Sequence, residues 1–481
     1  MSNRFFIQTL GCAKNTADSD GIGAVLARAG FQSVDAPEDA DVMIVNTCGF
    51  LQASRHESLE AMRALGQHKQ PEQLLIAAGC LISRYGENVK REVPSVDGVI
   101  DAGKWMAMPR LIQYLRERGQ AQTDWFDDAY LNLPREQMHA RSVTDHLPRH
   151  AQGPSAFLKI ADGCDRPCTF CIIPAIKGSH RSKSQEDVIA EARELVAQGV
   201  REIILVAQDT TAYGWDWNRR DVLAELIERM CSEVQGMQWL RLMYAYPGHM
   251  TPRLIDTMAR YPQIVHYLDV PLQHADAQVL QRMKRPNIVT TRRMLDDLRA
   301  AMPDLAVRTT FIVGFPGETE DEFHALLEFI EEQQFDRVGI FEYSPEEGTP
   351  AGEMHPHVSR KIKARRRHDA MMLQQRISLK KNRALIGKTL DVLIEGVGEL
   401  VTNAQHSGNA MRDPELDCGN CVSIGRSYRD APEVDGVVIV QNELPIGKFA
   451  RVKITQATEY DVVGEPVKAS EFPIAPRNGL C

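Results

Sequence analysis

Ala161-Asp-Gly-Cys-Asp-Arg-Pro-Cys-Thr-Phe-Cys-Ile-Ile-Pro174 sets Cys164, Cys168 and Cys171 in a C-x3-C-x2-C triad, and the reading of this stretch decides what the surrounding fold must do. Three thiolates so close in sequence can hold three irons of a 4Fe-4S cluster, whose full protein set would be four cysteines. One iron is left open. An open iron on a low-potential cluster is where S-adenosylmethionine can chelate through its amino and carboxylate groups and be split to a carbon radical, chemistry that the protein only positions. The alternative is a zinc knuckle or a set of buried thiols. Zinc prefers two spaced pairs with a fourth Cys or His nearby, and the nearest candidate, His180, lies nine residues beyond Cys171.

Toward the N-terminus, residues 1–137 alternate short apolar β-type runs with helical patterns, the sign of an open parallel α/β sheet. Strands are expected at 5–10, 41–46, 74–78 and 96–100, with helices at 18–29, 54–65 and 82–92. Cysteines follow the first three strands: Gln8-Thr-Leu-Gly-Cys12, Ile44-Val-Asn-Thr-Cys48 and Ala77-Ala-Gly-Cys80. The carboxyl ends of parallel strands share one edge, where ligands sit. Thiols 36 and 32 residues apart can therefore meet in space. Any one of them could be a small buried residue. Three in a row, each preceded by Gly or Thr that lets backbone approach a ligand, point to a second cluster site.

Residues 138–153 are polar and broken by Pro and Gly, and read as a linker. From 154 to 380 six strand patterns, at 156–160, 202–206, 239–244, 266–270, 307–313 and 337–343, alternate with helical ones. Ser184-Gln-Glu-Asp187 is a capping-box-like start for a helix running to about 198. The pattern predicts a partial (βα)6 barrel with its chemistry at the carboxyl ends of the strands. Polar residues fall there: Gln208 and Asp209, Tyr246 and His249, Gln273 and His274, Glu318, Ser344 and Glu346. Loops are normally polar, so each alone could be a solvated turn.

The 481 residues suggest about three domains, and 43% hydrophobic with 25% charged residues is ordinary for a soluble protein. Met1-Ser-Asn-Arg-Phe-Phe-Ile runs directly into the first strand with no basic-plus-apolar leader, and no apolar run approaches membrane-span length. A cytoplasmic location without membrane contact is expected. There, ten cysteines read as metal ligands and reactive thiols more than as a disulfide framework. The net charge of −9 argues against a general nucleic-acid binder.

Over nearly its full length the chain resembles the radical S-adenosylmethionine methylthiotransferase family. The Cys12, Cys48, Cys80 domain, the C-x3-C-x2-C barrel and a small antiparallel β-barrel of the TRAM type at 381–463, followed by a tail at 464–481, carry the resemblance. Gly11-Cys-Ala-Lys-Asn15, Ala207-Gln-Asp-Thr-Thr-Ala-Tyr-Gly214 and Gly425-Arg-Ser-Tyr-Arg-Asp-Ala-Pro-Glu-Val-Asp-Gly436 are similar to the branch acting on an aspartate of small-subunit ribosomal protein twelve. The resemblance implies two 4Fe-4S clusters, one on Cys164, Cys168 and Cys171 and one on Cys12, Cys48 and Cys80. It implies S-adenosylmethionine as radical source and as methyl donor, with Phe170 near the adenine. Gln208, Asp209 and the Gly314-Phe-Pro-Gly-Glu318 turn would line its pocket. Hydrogen would leave the aspartate β-carbon and a methylthio group would take its place. An electron donor and a sulfur source are implied partners, and the ribosomal protein would be met free or within the ribosome.

The last domain bears on the substrate. Lys381 to Asp461 holds nine basic against twelve acidic residues, a balance of −3. An RNA-gripping module should be basic, whereas an acidic one suits a basic protein partner. This disfavours the alternative substrate, the N6-isopentenyladenosine of tRNA. Arg360-Lys-Ile-Lys-Ala-Arg-Arg-Arg367 opposes it, read either as a solvated helix face or as a ribosomal RNA contact. A third reading, of another class, is a non-catalytic iron-sulfur or zinc module bound to the ribosome. Cys418-Gly-Asn-Cys421 reads as an exposed loop with only His406 as a distant metal-ligating neighbour, Cys231 as helix core and Cys481 as incidental.

Overall fold

The computed structural model describes residues 3–118, 149, 151–399 and 421–467. Residues 119–148 and 150, which include most of the expected linker, lie outside the described residues, as do His406, Cys418, Cys481 and 468–481 of the expected tail.

Five parallel strands, β1 (Arg4–Thr9), β2 (Gln32–Ser33), β3 (Val42–Thr47), β4 (Leu74–Gly79) and β5 (Gly98–Asp101), form the first sheet in the order β2-β1-β3-β4-β5. β3 and β4 are buried at every position, as strands covered on both faces must be. Helices α1 (Ala13–Arg28) and α4 (Met108–Arg118) cover one face, and α2 (Gln52–His68) and α3 (Cys80–Glu92) the other. The edge strand β2 is absent from the sequence reading because Gln-Ser carries no apolar alternation. It matters for topology: the chain steps outward from β1 to β2, then returns past β1 to β3. The boundary of β1 and β3 is thus the switch point at which doubly wound sheets bind ligands. Helices α1 and α3 start earlier than the pattern predicts, at Ala13 and at Cys80 itself.

The six-stranded second sheet is all parallel, in the order β13-β12-β11-β10-β9-β6. Its strands are β6 (Ser155–Lys159), β9 (Glu202–Val206), β10 (Trp239–Leu242), β11 (Ile264–Asp269), β12 (Ala306–Val313) and β13 (Arg337–Glu342), the partial barrel expected. The triad follows β6, framed by a ribbon of β7 (Ala161–Asp162) and β8 (Arg181–Ser182) and by the short helix α5 (Ile173–Lys177). α6 (Gln185–Ala197) starts on Ser184, whose Oγ accepts the Asp187 N–H at 3.1 Å. Helices α7 (Val222–Glu233), α8 (Pro252–Arg260), α9 (Ala277–Arg282), α10 (Ile288–Ala301) and α11 (Glu320–Gln333) complete the βα units.

α12 (Arg360–Arg383) runs unbroken across the expected boundary at 380, because no helix breaker precedes Gly387. Beyond it β14 (Thr389–Glu399), β15 (Cys421–Ser427), β16 (Val438–Val440), β17 (Phe449–Ala457) and β18 (Val462–Pro466) close a barrel, antiparallel except where β16 pairs with β18. Its last strand reaches Pro466, into the segment read as tail. Cys421 opens β15, half-buried and disulfide-bonded, where a loop thiol was expected.

The inner face of the six-stranded sheet is filled from both neighbours. Ala13 and Ala17 of α1 and Ala431 of the last domain pack into one apolar cluster with Phe157, Ile204, Val206, Met243 and Tyr267. Fully buried Glu202 joins the barrel to the last domain, accepting from Arg241 Nε at 2.7 Å and from Arg426. Burial alone would raise its carboxyl, but Arg241 and Arg426 hold it down to about 2. Its stabilisation is therefore present above the ordinary value of 4.5 and lost as pH falls toward 2. Glu202→Gln is expected to cost about 3–5 kcal/mol at neutral pH, the penalty for breaking a buried ion pair. Urea unfolding of both proteins across the acid range should show wild type losing part of this advantage as pH drops.

Candidate active site

Cys12, Cys48 and Cys80 come together at the switch-point edge of the first sheet. Gly11 has φ +105°, and a Cβ there would stand 2.8 Å from Cys48 Cβ; one on Gly49 would stand 2.6 Å from Leu81 Cα. The three thiol loops are thus in backbone-level contact, and a side chain at either glycine would push them apart. Asn15 pins the edge, donating to Leu10 O at 2.7 Å and Thr47 O at 3.1 Å. Cys12 is the N-cap of α1 and Cys80 the first residue of α3, so both thiols meet the positive end of a helix.

Cys164, Cys168 and Cys171 line a cavity of about 230 Å³ at the mouth of the barrel. Arg166, Phe170, Gln208, Asp209, Tyr244, Tyr246, Gln273 and Arg285 share it, and Phe50 enters from the loop after Cys48. Arg285 Nη1 lies 3.7 Å from Cys168 Sγ. Asp209 is held by His249 Nδ1 at 3.0 Å, and Arg166 by His249 Nε2 at 2.8 Å. Gln208 Oε1 is buried with no hydrogen-bond partner among the described residues.

The two thiol sets are joined by buried charges. Lys159 pairs with Asp18 and with Asp162, the latter at 3.3 Å, while Lys177 stands 3.6 Å from Asp18 and 3.4 Å from Asp162. Asp18 belongs to α1, which Cys12 caps, and the other three flank the triad. Burial works to discharge Lys177, but Asp162, Cys80 and Asp18 hold it cationic. Arg84 of α3 meets Glu346 at 2.9 Å, a second link from the first sheet to the barrel rim.

Residues 158–330 match the Radical SAM superfamily, 4–101 the Uncharacterized protein family UPF0004, and 386–467 the TRAM domain. A ribosomal protein uS12 methylthiotransferase RimO of Chloroflexus aurantiacus is 46% identical, covering 96% of this chain and 99% of its own. Its counterpart in Herpetosiphon aurantiacus is 43% identical, over 96% of this chain and all of its own. The chain belongs to the radical SAM methylthiotransferases. A solved radical S-adenosylmethionine methyltransferase, TsrM of Kitasatospora setae, shares the fold with TM-score 0.54 at 14% identity, covering 73% of this chain and 74% of its own.

A radical SAM methylthiotransferase implies a 4Fe-4S cluster and S-adenosylmethionine, and the barrel cavity fits them. Among the described residues it offers three thiols without a fourth, two arginines for a carboxylate, aromatic walls and a Gln208 acceptor without a partner. Among the described residues no three or more His, Cys, Asp or Glu stand as ligands of one metal ion; a 4Fe-4S cluster asks something different, since each thiolate meets its own iron.

Of the sequence-named residues, Phe170, Gln208, Asp209, Tyr246 and Gln273 line this cavity, whereas Gly314 and Glu318 do not. Gly314 packs against Lys363, and Glu318 accepts the Phe315 N–H at 2.8 Å and pairs with Arg366. Burial pushes the Glu318 carboxyl up to about 7. His274 accepts the Asp276 N–H, Ser344 donates to Glu346, and Glu346 accepts from Gln52 of the first domain. Arg166, Tyr244, Arg285 and Phe50 were not anticipated. Arg166 had a signal, a cation inside the triad; Tyr244 had none, since its left-handed φ of +61° is invisible in a strand-like run.

Burial pushes the thiols of Cys80 and Cys171 up to about 12 and that of Cys164 to about 11. Iron binding must expel those protons. Iron uptake by the metal-free protein is therefore expected to increase from neutral pH toward pH 9, as bound iron measured after desalting would show. A flat profile would mean that the thiols are already ionised.

Proposed function

We propose that this enzyme replaces a hydrogen on the β-carbon of an aspartate in ribosomal protein uS12 with a methylthio group. The observation that carries the reading is the pair of three-cysteine sets, one at each side of a single interior and tied together by buried ion pairs. The first set, Cys12, Cys48 and Cys80, would hold the second 4Fe-4S cluster. When bound, the clusters and S-adenosylmethionine supply a carbon radical, a sulfur and a methyl group. The chain itself orients: Phe170, Tyr244 and Tyr246 wall the cavity, Gln208 and Asp209 offer acceptors, and Arg166 and Arg285 offer charge. Gly314 and Glu318 act one layer back, fixing the rim through Lys363 and Arg366.

The basic run on α12 gives little support to a tRNA substrate. Lys363 donates to Tyr343 O, Arg365 and Arg366 pair with Glu320, and Arg367 donates to Ile340 O. Four of its six cations are thus engaged within the chain. The partners are uS12, free or in the ribosome, an electron donor and a sulfur source, in the cytoplasm. No described helix is long and apolar enough to cross a membrane.

Anaerobic reconstitution should load about eight irons per chain, two cubes of four, and incubation with S-adenosylmethionine and dithionite should add a methylthio mass to uS12. A gain on tRNA alone would sink the assignment. The variant C12A/C48A/C80A is expected to keep about four irons and to form 5′-deoxyadenosine without modifying uS12; C164A should form no 5′-deoxyadenosine and leave uS12 unmodified.

A further inference from the structure

Lys14 stands between the two thiol sets with no hydrogen-bond acceptor for its charge among the described residues. It sits on the first turn of α1, two residues after Cys12, and is half-buried. Its Nζ lies 3.3 Å from the ring centroid of Tyr244, which walls the cavity of Cys164, Cys168 and Cys171. The side chain therefore reaches from one site to the lining of the other.

The other cations around these sites have other roles, Arg166 and Arg285 because they line the cavity that would take S-adenosylmethionine. Lys159 and Lys177 share Asp18 and Asp162, Arg166 bonds His249, and Arg285 bonds Pro271 O. Asp269, the carboxylate whose field reaches Lys14, already accepts from Arg308 at 3.0 Å and from the Tyr244 N–H at 3.2 Å. Cys12 and Cys80 also lie in the field of Lys14, without a hydrogen bond to it. Among the described residues Lys14 touches only a ring face, a contact worth about 0.5–2 kcal/mol that a carboxylate readily supersedes.

We infer that Lys14 receives the side-chain carboxylate of the target aspartate. The inference rests on the substrate reading above and names the residue that recognises the substrate's charge. A peptide aspartate is ionised at neutral pH, and its carboxylate is bonded directly to the β-carbon. Gripping that group at the wall shared by the two sites fixes the reacting carbon between them, the positioning that a two-site reaction needs. Tyr244, held in its left-handed conformation by the bond to Asp269, keeps Lys14 extended toward the cavity.

The test uses the fully reconstituted enzyme, uS12, and uS12 with the target aspartate changed to asparagine, with binding followed by fluorescence anisotropy. Wild type should prefer the aspartate form by about ten- to hundredfold, the worth of one charge-assisted hydrogen bond. K14M should lose that preference and K14R keep most of it, both with unchanged iron content and S-adenosylmethionine affinity. The inference is overturned if wild type shows no preference, if K14M keeps it, if K14M weakens S-adenosylmethionine binding instead, or if K14M and K14R both lose iron. Failure of wild type to modify uS12 at all would remove the substrate reading itself, a separate result read by mass.

Discussion

Four buried side chains, Asp18, Lys159, Asp162 and Lys177, hold the two halves of this enzyme in register. Burying any one alone would cost several kcal/mol, and the set is tolerable only because two cations and two carboxylates interlock. The constraint fixes a relative position rather than adding stability. A hydrophobic interface could slide, whereas a displaced domain here would leave an unpaired charge in a dry interior. Because α1 is capped by Cys12 and carries Asp18, while Lys159, Asp162 and Lys177 flank the triad, the register of the network is also the register of the thiols.

The last domain is bound by the same kind of contact. Glu202 meets Arg426, Arg308 meets Asp435 at 3.3 Å, and Arg337 meets Asp430 at 2.6 Å. Arg308 also reaches Asp269, which holds the Tyr244 backbone. An unbroken chain of charged contacts thus runs from the small barrel to the wall of the cavity. It also alters the meaning of the acidic balance in that domain. Glu395, Asp430 and Asp435 answer arginines, so part of the negative charge is internal and not displayed to a partner. The choice of a protein substrate therefore leans more on the relatives and on the engaged basic run than on net charge.

Most of the architecture was legible because it is written in local periodicity. Fully buried runs such as Val42–Thr47 and Leu74–Gly79 announce parallel strands, and cysteines after successive strands announce a shared edge. What stayed hidden depends on contacts distant in sequence. β2 is two residues long and exists only because β1 offers it an edge. Gly314 and Glu318 follow a strand like the cavity residues do, yet α12 draws them away through Lys363 and Arg366. The six cations of 360–367 look like a displayed patch until α11, β13 and Tyr343 just beyond it claim four of them.

Charge accounting at the centre distinguishes the scaffold from the working surface. The network of Asp18, Lys159, Asp162 and Lys177 is neutral and closed, so it asks nothing further of solvent or ligand. Three thiols on either side of it can each become negative when metal displaces their protons, and Lys177 is placed to face that charge at Cys80. Among the described residues Lys14 is a cation near these thiols that has no carboxylate bonded to it. A side chain in such a position would ordinarily be drawn to the nearest carboxylate, but Asp269 is committed to Arg308 and to the Tyr244 amide. The same bond that holds Tyr244 in place therefore keeps Asp269 from bonding Lys14 directly. Lys14 thus reaches the wall of the cavity with no carboxylate bonded to it among the described residues, and the substrate proposed for this enzyme brings one.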